Sequence, residues 1–318
     1  MSASESNRPV GVLVMSYGTP ESLEGVEAYY THIRRGHPPT AEQLEDLTGR
    51  YREIVGGVFP LRENTNRQVE ALQRKLDELA GPGRYVCYQG LKHAAPFIED
   101  GIAAMAGDGI REAVGIVLTP QYSSMSVGGY LKRAQEEADK RGISFRGAKE
   151  YHLHPELIGA LAERVNEGLA KFGEGRADAL VLFSAHSLPA KIMEMKDPYA
   201  DQLLATSAAV ASATGVGKWQ FTWQSAGQTG QPWLGPDILE TLAHLAAEGA
   251  RSVLVTPVGF VSDHLEVLYD IDIEAKKFAE EKGIRLERIR MLNDDPGYMA
   301  ALADTVIGIV RGRTGAHG

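Results

Sequence analysis

The stretch FVSDHLEVLYDIDIEAKKF at positions 260–278 threads five acids and a histidine through residues otherwise apolar enough for a protein core. Carboxylates in such surroundings are costly unless paired, protonated or bound to a cation. As a helix from about Asp263, the segment puts Glu266, Asp270 and Glu274 on one face at i, i+4 and i+8. Three like charges in a row repel, and a divalent cation or a basic residue from elsewhere would offset that cost. The other reading is a solvated helix face with Lys276 and Lys277 as distant partners. Val267, Leu268, Ile271 and Ile273 flank the acids so closely that the two readings stand even. On the helical reading His264 points away from the Glu266 face, and Asp272 lies off the row.

A second candidate is His186, in SAHSLP at 184–189, directly after an apolar run. An imidazole with an ordinary pKa of about 6.5 can accept a proton or bind a metal near neutral pH. Taken alone, a histidine at a strand end is better explained by a turn bonded to nearby backbone. Arginines cluster early, as Arg34, Arg35, Arg50 and Arg52. Their planar guanidinium matches a carboxylate with two parallel hydrogen bonds, but by residue type alone an ordinary charged helix surface is the better reading. Tyr122, Tyr130, Trp223 and Trp233 could line a flat apolar pocket, but each is more simply explained as core packing. Several other chemistries lack their motifs. There is no Gly-x-Ser-x-Gly elbow, no His-Glu-x-x-His, no Gly-x-Gly-x-x-Gly and no phosphate-binding loop. A single cysteine, Cys87, excludes an internal disulfide and an iron–sulfur cluster held by four cysteines.

Elements that alternate in period must position these residues. Short apolar runs at 11–15, 85–88, 115–119, 179–183, 219–223 and 252–256 read as strands. Between them, helical patterns occupy 65–79, 96–105, 129–140, 155–171, 236–248 and 268–282, and 296–311 reads as a closing helix. The fold class is therefore α/β, with parallel sheets flanked by helices. Two internal echoes suggest two similar lobes. LVMSYGTP at 13–20 resembles LFSAHSLP at 182–189, and VLTP at 117–120 resembles LVTP at 254–257. A chain of 318 residues is long enough for two domains of roughly 150 residues each. Ligands of open α/β sheets sit beyond the carboxyl ends of the strands. That rule gathers Tyr17, Lys92, His93, Gln121–Ser126, His186, Gln224, Ser225 and the acidic segment at one candidate cleft. The formal charge of −9, from 42 acids against 33 bases, argues against general nucleic-acid or anionic-membrane binding. No signal peptide and no bilayer-spanning run is visible, so a cytoplasmic location is expected.

The motifs together resemble the ferrochelatases, and more closely the coproporphyrin III ferrochelatases of Gram-positive bacteria. The resemblance covers nearly the whole chain. It is carried by GVLVMSYGTP at 11–20, YYTHIRRG at 29–36, GLKH at 90–93, PFIED at 96–100, SAHSLP, WLGP at 233–236 and, most specifically, PVGFVSDHLEVLYD at 257–270. It implies two Rossmann-like lobes with a porphyrin cleft between them, the first spanning 1–120 plus a C-terminal helix at about 296–318 and the second 121–295. It implies insertion of Fe²⁺, a substrate, into coproporphyrin III with release of two protons. By motif match, His186 and Glu266 would bind iron and accept pyrrole protons. Asp270 and Glu274 would lead to an outer metal position near Arg50, where a second divalent cation could sit. Tyr17 would ligate the product iron, and Arg34, Arg50, Tyr51 and Tyr130 would hold the propionates.

Two positions depart from the family pattern. Phe59, in GGVFP at 56–60, stands where a serine is usual among the substrate contacts, and Lys196 replaces a glycine before Asp-Pro-Tyr. The alternatives are a chelatase for protoporphyrin IX or for another tetrapyrrole or metal, and a non-catalytic two-lobed haem carrier. The resemblance further implies no tightly bound cofactor and a transient handover of product to a coprohaem decarboxylase. Nothing in the sequence demands a dimer, and a monomer is expected.

Overall fold

The structure, a computed structural model, describes residues 8–55, 59–227 and 230–312; the glycine pair Gly56–Gly57 lies outside them. The chain divides into two compact units, one reaching to Tyr151 and resuming at Asn293, the other spanning His152–Leu292. The first unit runs β1 (Val10–Ser16), α1 (Val26–Ile33), α2 (Ala41–Val55), α3 (Pro60–Ala80), β2 (Tyr85–Leu91), α4 (Ile98–Gly107), β3 (Glu112–Val117), α5 (Val127–Lys140) and β4 (Ser144–Gly147). The second runs α6 (Pro155–Ala170), β5 (Leu180–His186), α7 (Tyr199–Thr214), β6 (Trp219–Gln224), α8 (Ile238–Ala247) and β7 (Ser252–Thr256). It continues through α9 (Leu265–Leu268), a π-helical segment Asp270–Ala275, α10 (Lys276–Glu281) and β8 (Arg285–Arg288). The closing helix α11 (Pro296–Val310) returns to the first unit, where it packs on α3 and β3.

Each unit holds one four-stranded sheet, ordered β2-β1-β3-β4 in the first and β6-β5-β7-β8 in the second. Every pairing is parallel. The two orders are the same topology, and the internal echoes fall on equivalent strands: 13–20 on β1 matches 182–189 on β5, and 117–120 after β3 matches 254–257 after β7. Parallel strands covered on both faces need near-continuous apolar runs, and β1 is buried from end to end. Leu13, Met15, Ile98, Ile102 and Met105 fill the first core. Leu182, Val253, Val255, Leu242, Val267 and Ile271 fill the second.

Helix boundaries follow local chemistry. Proline opens α6 and α11 at a position whose amide has no helical partner, and Asp295 accepts from the amides of Gly297 (2.8 Å) and Tyr298 (3.2 Å) to cap α11. Asp237 caps α8 through the Leu239 amide at 2.9 Å, while Glu240 reaches back to the Asp237 amide at 3.1 Å.

Three expectations change. The expected break at 120/121 moves to 151/152, because β4 hydrogen-bonds to β3 and α5 packs against both. The second boundary falls at 292/293 rather than 295/296. The buried Tyr298 hydroxyl donates to the Leu118 carbonyl (2.9 Å) and meets the Tyr151 hydroxyl (3.2 Å), which sews α11 to the first unit. The acidic segment, expected to be one α-helix, is an α-turn, a π-helical segment and a second α-turn.

Lys196 does adopt a left-handed conformation, with φ of 52°. For a residue with a Cβ this region costs about 1–2 kcal/mol, whereas glycine's extra freedom in the unfolded chain costs about 0.5–1 kcal/mol. Strain relief wins, so Lys196→Gly is expected to stabilise the chain by about 0.5–1 kcal/mol. A urea-unfolding midpoint that does not rise would contradict this.

Candidate active site

In the second unit the carboxyl ends of β5, β6 and β7 bring candidate side chains together. His186 is the last residue of β5, paired in register with Gln224, the last of β6. Glu266 lies in the first turn of α9, beyond β7. A close approach makes this possible: Gly259 passes against β5, where a Cβ would meet that of Ala185 at 2.4 Å, and its amide donates to Ser184 (3.2 Å). Only glycine fits there without backbone movement.

His186 Nε2 stands 3.4 Å from Glu266 Oε1, and the two side chains are 31% and 35% exposed. On the other side, His264 Nε2 is 2.9 Å from Glu266 Oε2. This reverses the expectation that His264 points away from Glu266. His264 is the N-cap of α9, with extended backbone at φ −158° and ψ −177°, so the helical geometry that would turn it away does not apply. Sequence reasoning missed it; its only signal was the position directly before the apolar run.

Both rings are held by backbone carbonyls. His264 Nδ1 lies 2.9 Å from the Ser262 carbonyl, and His186 Nδ1 contacts that of Ser187. A carbonyl only accepts, so each Nδ1 carries a hydrogen and each Nε2 faces the carboxylate. A neutral ring would then aim a lone pair at Glu266, and protonation replaces that repulsion with a charge-assisted hydrogen bond. Burial works against the charge on His186. The Glu266 carboxylate, helped by the Ser187 carbonyl and Asp270, outweighs it and raises the His186 pKa above the ordinary imidazole value. For Glu266, burial would raise the pKa, but His186 and His264 hold it well below the usual carboxylate range. Phe260 and Trp233 flank His186 with ring centres at 6.4 Å, and Tyr199 donates to the His186 carbonyl at 3.1 Å.

The three acids of the expected row have different surroundings. Asp270 is buried and accepts a hydrogen bond from Ser225. Glu274 is exposed. The hydrogen bonds of the π-helical segment Asp270–Ala275 span five residues where an α-helix spans four. The amide of Glu274 donates to the Tyr269 carbonyl at 2.9 Å, five residues back. Asp272, off the row as expected, forms a two-pronged pair with Arg288 at 2.7 Å for both contacts, and Arg288 also meets Asp263 at 3.1 Å. Among the described residues, no three His, Cys, Asp or Glu side chains gather as a ready-made metal cage.

In the first unit, Tyr17 follows β1 and is 42% exposed. The amides of Lys92 and His93 donate to the Ser16 and Tyr17 carbonyls, both at 3.0 Å, extending the β1–β2 pairing past the strand ends. Lys92 Nζ lies 6.0 Å from the Tyr17 ring centre and 4.9 Å from that of Tyr130. Burial, then Arg133 and Arg35, lower the Lys92 pKa. Burial, Lys92, His32 and Arg133 push His93 down to about 3, so His93 is neutral beside His32, 3.0 Å away between Nδ1 atoms. Arg34 ends α1 and donates to the His37 carbonyl at 3.2 Å. Arg50 on α2 pairs with Asp46 at 3.2 Å. Tyr51, Phe59 and Tyr130 are buried, with Tyr51 and Phe59 rings 5.1 Å apart.

A family model for ferrochelatase matches residues 9–308. This chain belongs to the ferrochelatase family. A protein named ferrochelatase from Herpetosiphon aurantiacus is 46% identical over 301 residues, covering 93% of this chain and 98% of its own. Proteins named coproporphyrin III ferrochelatase from Bacillus subtilis and Geobacillus kaustophilus are 44% and 45% identical, covering 95% and 94% of this chain and 98% and 96% of their own. Among solved structures, SirB from Bacillus subtilis with Fe³⁺ aligns over 95% of this chain and 98% of its own, at a TM-score of 0.60 and 11% identity. CbiX, the terminal enzyme of sirohaem biosynthesis in denitrifying bacteria, aligns over 97% of this chain and 100% of its own, at a TM-score of 0.54 and 11% identity. At that identity the likeness establishes the fold: two similar parallel-sheet units of the chelatase type. Among the described residues, no helix is long and apolar enough to cross a membrane.

Proposed function

We propose that this chain inserts Fe²⁺ into coproporphyrin III to give iron-coproporphyrin in haem biosynthesis, with His186 and Glu266 as the metal-handling and proton-accepting pair. The observation that carries the reading is the 3.4 Å contact between His186 Nε2 and Glu266 Oε1 at the strand ends of the second unit. The named activity of relatives at about 44% identity supports the porphyrin. Chelation balances simply: a porphyrin with two N–H groups and Fe²⁺ yield the iron porphyrin and two protons. Each N–H proton needs an acceptor within hydrogen-bond reach. His186 Nε2, backed by the Glu266 carboxylate, is a base strengthened by its neighbour. Glu266 then stabilises the imidazolium that forms, and the proton leaves to solvent through the exposed third of the pair. An imidazole and a carboxylate hold Fe²⁺ loosely enough to surrender it, whereas a thiolate cage would retain it.

On this reading Asp270 and Glu274 lie on the approach of the metal, and Tyr17 ligates the iron of the product. Arg34 and Arg50 take propionates. Tyr51 and Tyr130 join them in holding the propionates, and Phe59 stands at a substrate-contact position. Lys92 adds a half-buried ammonium bracketed by two tyrosine rings, well suited to a further carboxylate. Lys92→Met is expected to raise KM for a porphyrin carrying propionates by about tenfold, the worth of one charge-assisted hydrogen bond, with kcat nearly unchanged. A fall in kcat at constant KM would give Lys92 a different role.

The substrate assignment is tested by kcat/KM for coproporphyrin III against protoporphyrin IX, measured anaerobically with Fe²⁺. Coproporphyrin carries four propionates and protoporphyrin two, so the proposed basic residues favour the former. A preference for protoporphyrin IX would overturn the substrate assignment and leave the chelatase reading intact.

A further inference from the structure

We infer that Gln224 is a positioning residue that holds the Glu266 backbone in register with His186. This rests on the chelatase reading above.

Gln224 is fully buried at the end of β6. Its Oε1 accepts from Ser184 Oγ at 2.8 Å, and its Nε2 donates to the Glu266 carbonyl at 2.7 Å. The second Nε2 hydrogen faces Ser225 Oγ at 3.5 Å, and Ser225 Oγ in turn donates to Asp270. Its own carbonyl accepts from the Ser187 amide at 2.7 Å, directly after His186. One residue therefore touches the segment carrying His186 through its main chain and the segment carrying Glu266 through its amide. The orientation of that amide is fixed chemically. The Glu266 carbonyl can only accept, so the nitrogen must face it, and the oxygen then accepts from Ser184.

The need for such a link follows from the elements. His186 belongs to a central strand with pairing on both sides. Glu266 belongs to an α-turn of four residues followed by a π-helical segment, too short to fix its own direction. The Ser184–Gln224–Glu266 bridge ties that turn to the sheet two residues before His186. The same amide reaches Ser225, whose backbone is left-handed at φ 59°, a conformation that turns its hydroxyl onto Asp270. Gln224 touches neither metal nor porphyrin in this account. It acts through Glu266.

The test compares wild-type chain, Gln224→Met, Ser184→Ala and the double variant in anaerobic iron insertion, alongside porphyrin affinity by fluorescence quenching. Methionine keeps the length of the side chain and removes both hydrogen bonds. The expected result is a tenfold or larger fall in kcat for Gln224→Met, with KM and porphyrin Kd within about twofold of wild type. Ser184→Ala should give a smaller loss of the same kind, and the double variant should be no worse than Gln224→Met, because both act through one bridge. Unchanged kcat, losses that appear in KM and Kd, or additive losses in the double variant would each overturn the proposal. If Gln224→Met does not fold, Ser184→Ala alone decides: a kcat fall at constant KM supports the bridge, and wild-type kinetics overturn it. Wild-type chain that inserts no iron would instead refute the chelatase reading itself.

Discussion

His186→Ala is expected to lower kcat for iron insertion by about 10²–10⁴-fold, the usual loss on removing a general base. Porphyrin affinity should stay within about twofold, because the affinity is assigned to carboxylate contacts elsewhere. The expectation rests on His186 Nε2 being directed at Glu266 by its own Nδ1–H on the Ser187 carbonyl. His264 does not replace it. Its Nε2 is already committed to Glu266 Oε2 at 2.9 Å, and its side chain is only 12% exposed. Steady-state insertion rates and fluorescence titration separate the two effects. A variant that keeps both its rate and its pH profile would remove His186 from the mechanism.

Glu266→Gln has the second largest expected effect, and it acts on pH as well as on rate. The carboxylate raises the His186 pKa. With His186 needed as a proton acceptor, kcat/KM falls as pH drops through that raised value, so the acid limb lies above the ordinary imidazole range of about 6.5. Glutamine keeps the shape and removes the charge. The limb should therefore move to lower pH, while the plateau rate drops by about a hundredfold for loss of the partner charge. A limb that stays in place, or moves to higher pH, would contradict the electrostatic pairing. Stability follows the same pair. Glu266, with its pKa lowered, contributes above the unfolded carboxylate value and loses that contribution as pH falls through the folded one. His186, with its pKa raised, contributes below the unfolded imidazole value and loses that contribution as pH rises through the folded one. The two statements describe one interaction, fully present between about pH 4.3 and 6.5. Glu266→Gln should therefore destabilise the chain more in that window than at pH 8.

Much of this architecture was legible because parallel sheets demand apolar runs. Six of the eight strands coincide with runs visible in the sequence, and the echo between β1 and β5 falls on equivalent places in two sheets of the same order. The two strands that were not legible, SFRG in β4 and RLER in β8, lie at sheet edges, where arginines replace the alternation that betrays a strand. The break at 151/152 was hidden for the same reason, since placing it requires knowing that β4 pairs with β3.

The site was legible in part. His186 and Glu266 were each ambiguous by residue type and became a pair only through the family resemblance. The structure brings them to 3.4 Å. His264 was misplaced because an α-helical period was assumed to begin before it, whereas its backbone is extended. The acids were expected on one α-helix, whereas the segment from Asp270 is π-helical, with five-residue hydrogen bonding from the Tyr269 carbonyl. No periodicity of side chains announces such a segment, because the apolar positions Ile271 and Ala275 are spaced as an α-helix would space them. Gln224 was legible only as a polar residue after a strand. What distinguishes it is two hydrogen bonds, to Ser184 and to the Glu266 carbonyl, that no sequence pattern encodes.

The most direct measurement is the amount of iron-coproporphyrin formed per chain when purified protein is mixed anaerobically with excess Fe²⁺ and excess coproporphyrin III. Continued formation of product through many equivalents is expected, slowed by about 10²–10⁴-fold in the His186→Ala variant. A spectral change that stops at one equivalent, as in a carrier that binds without chemistry, would contradict it.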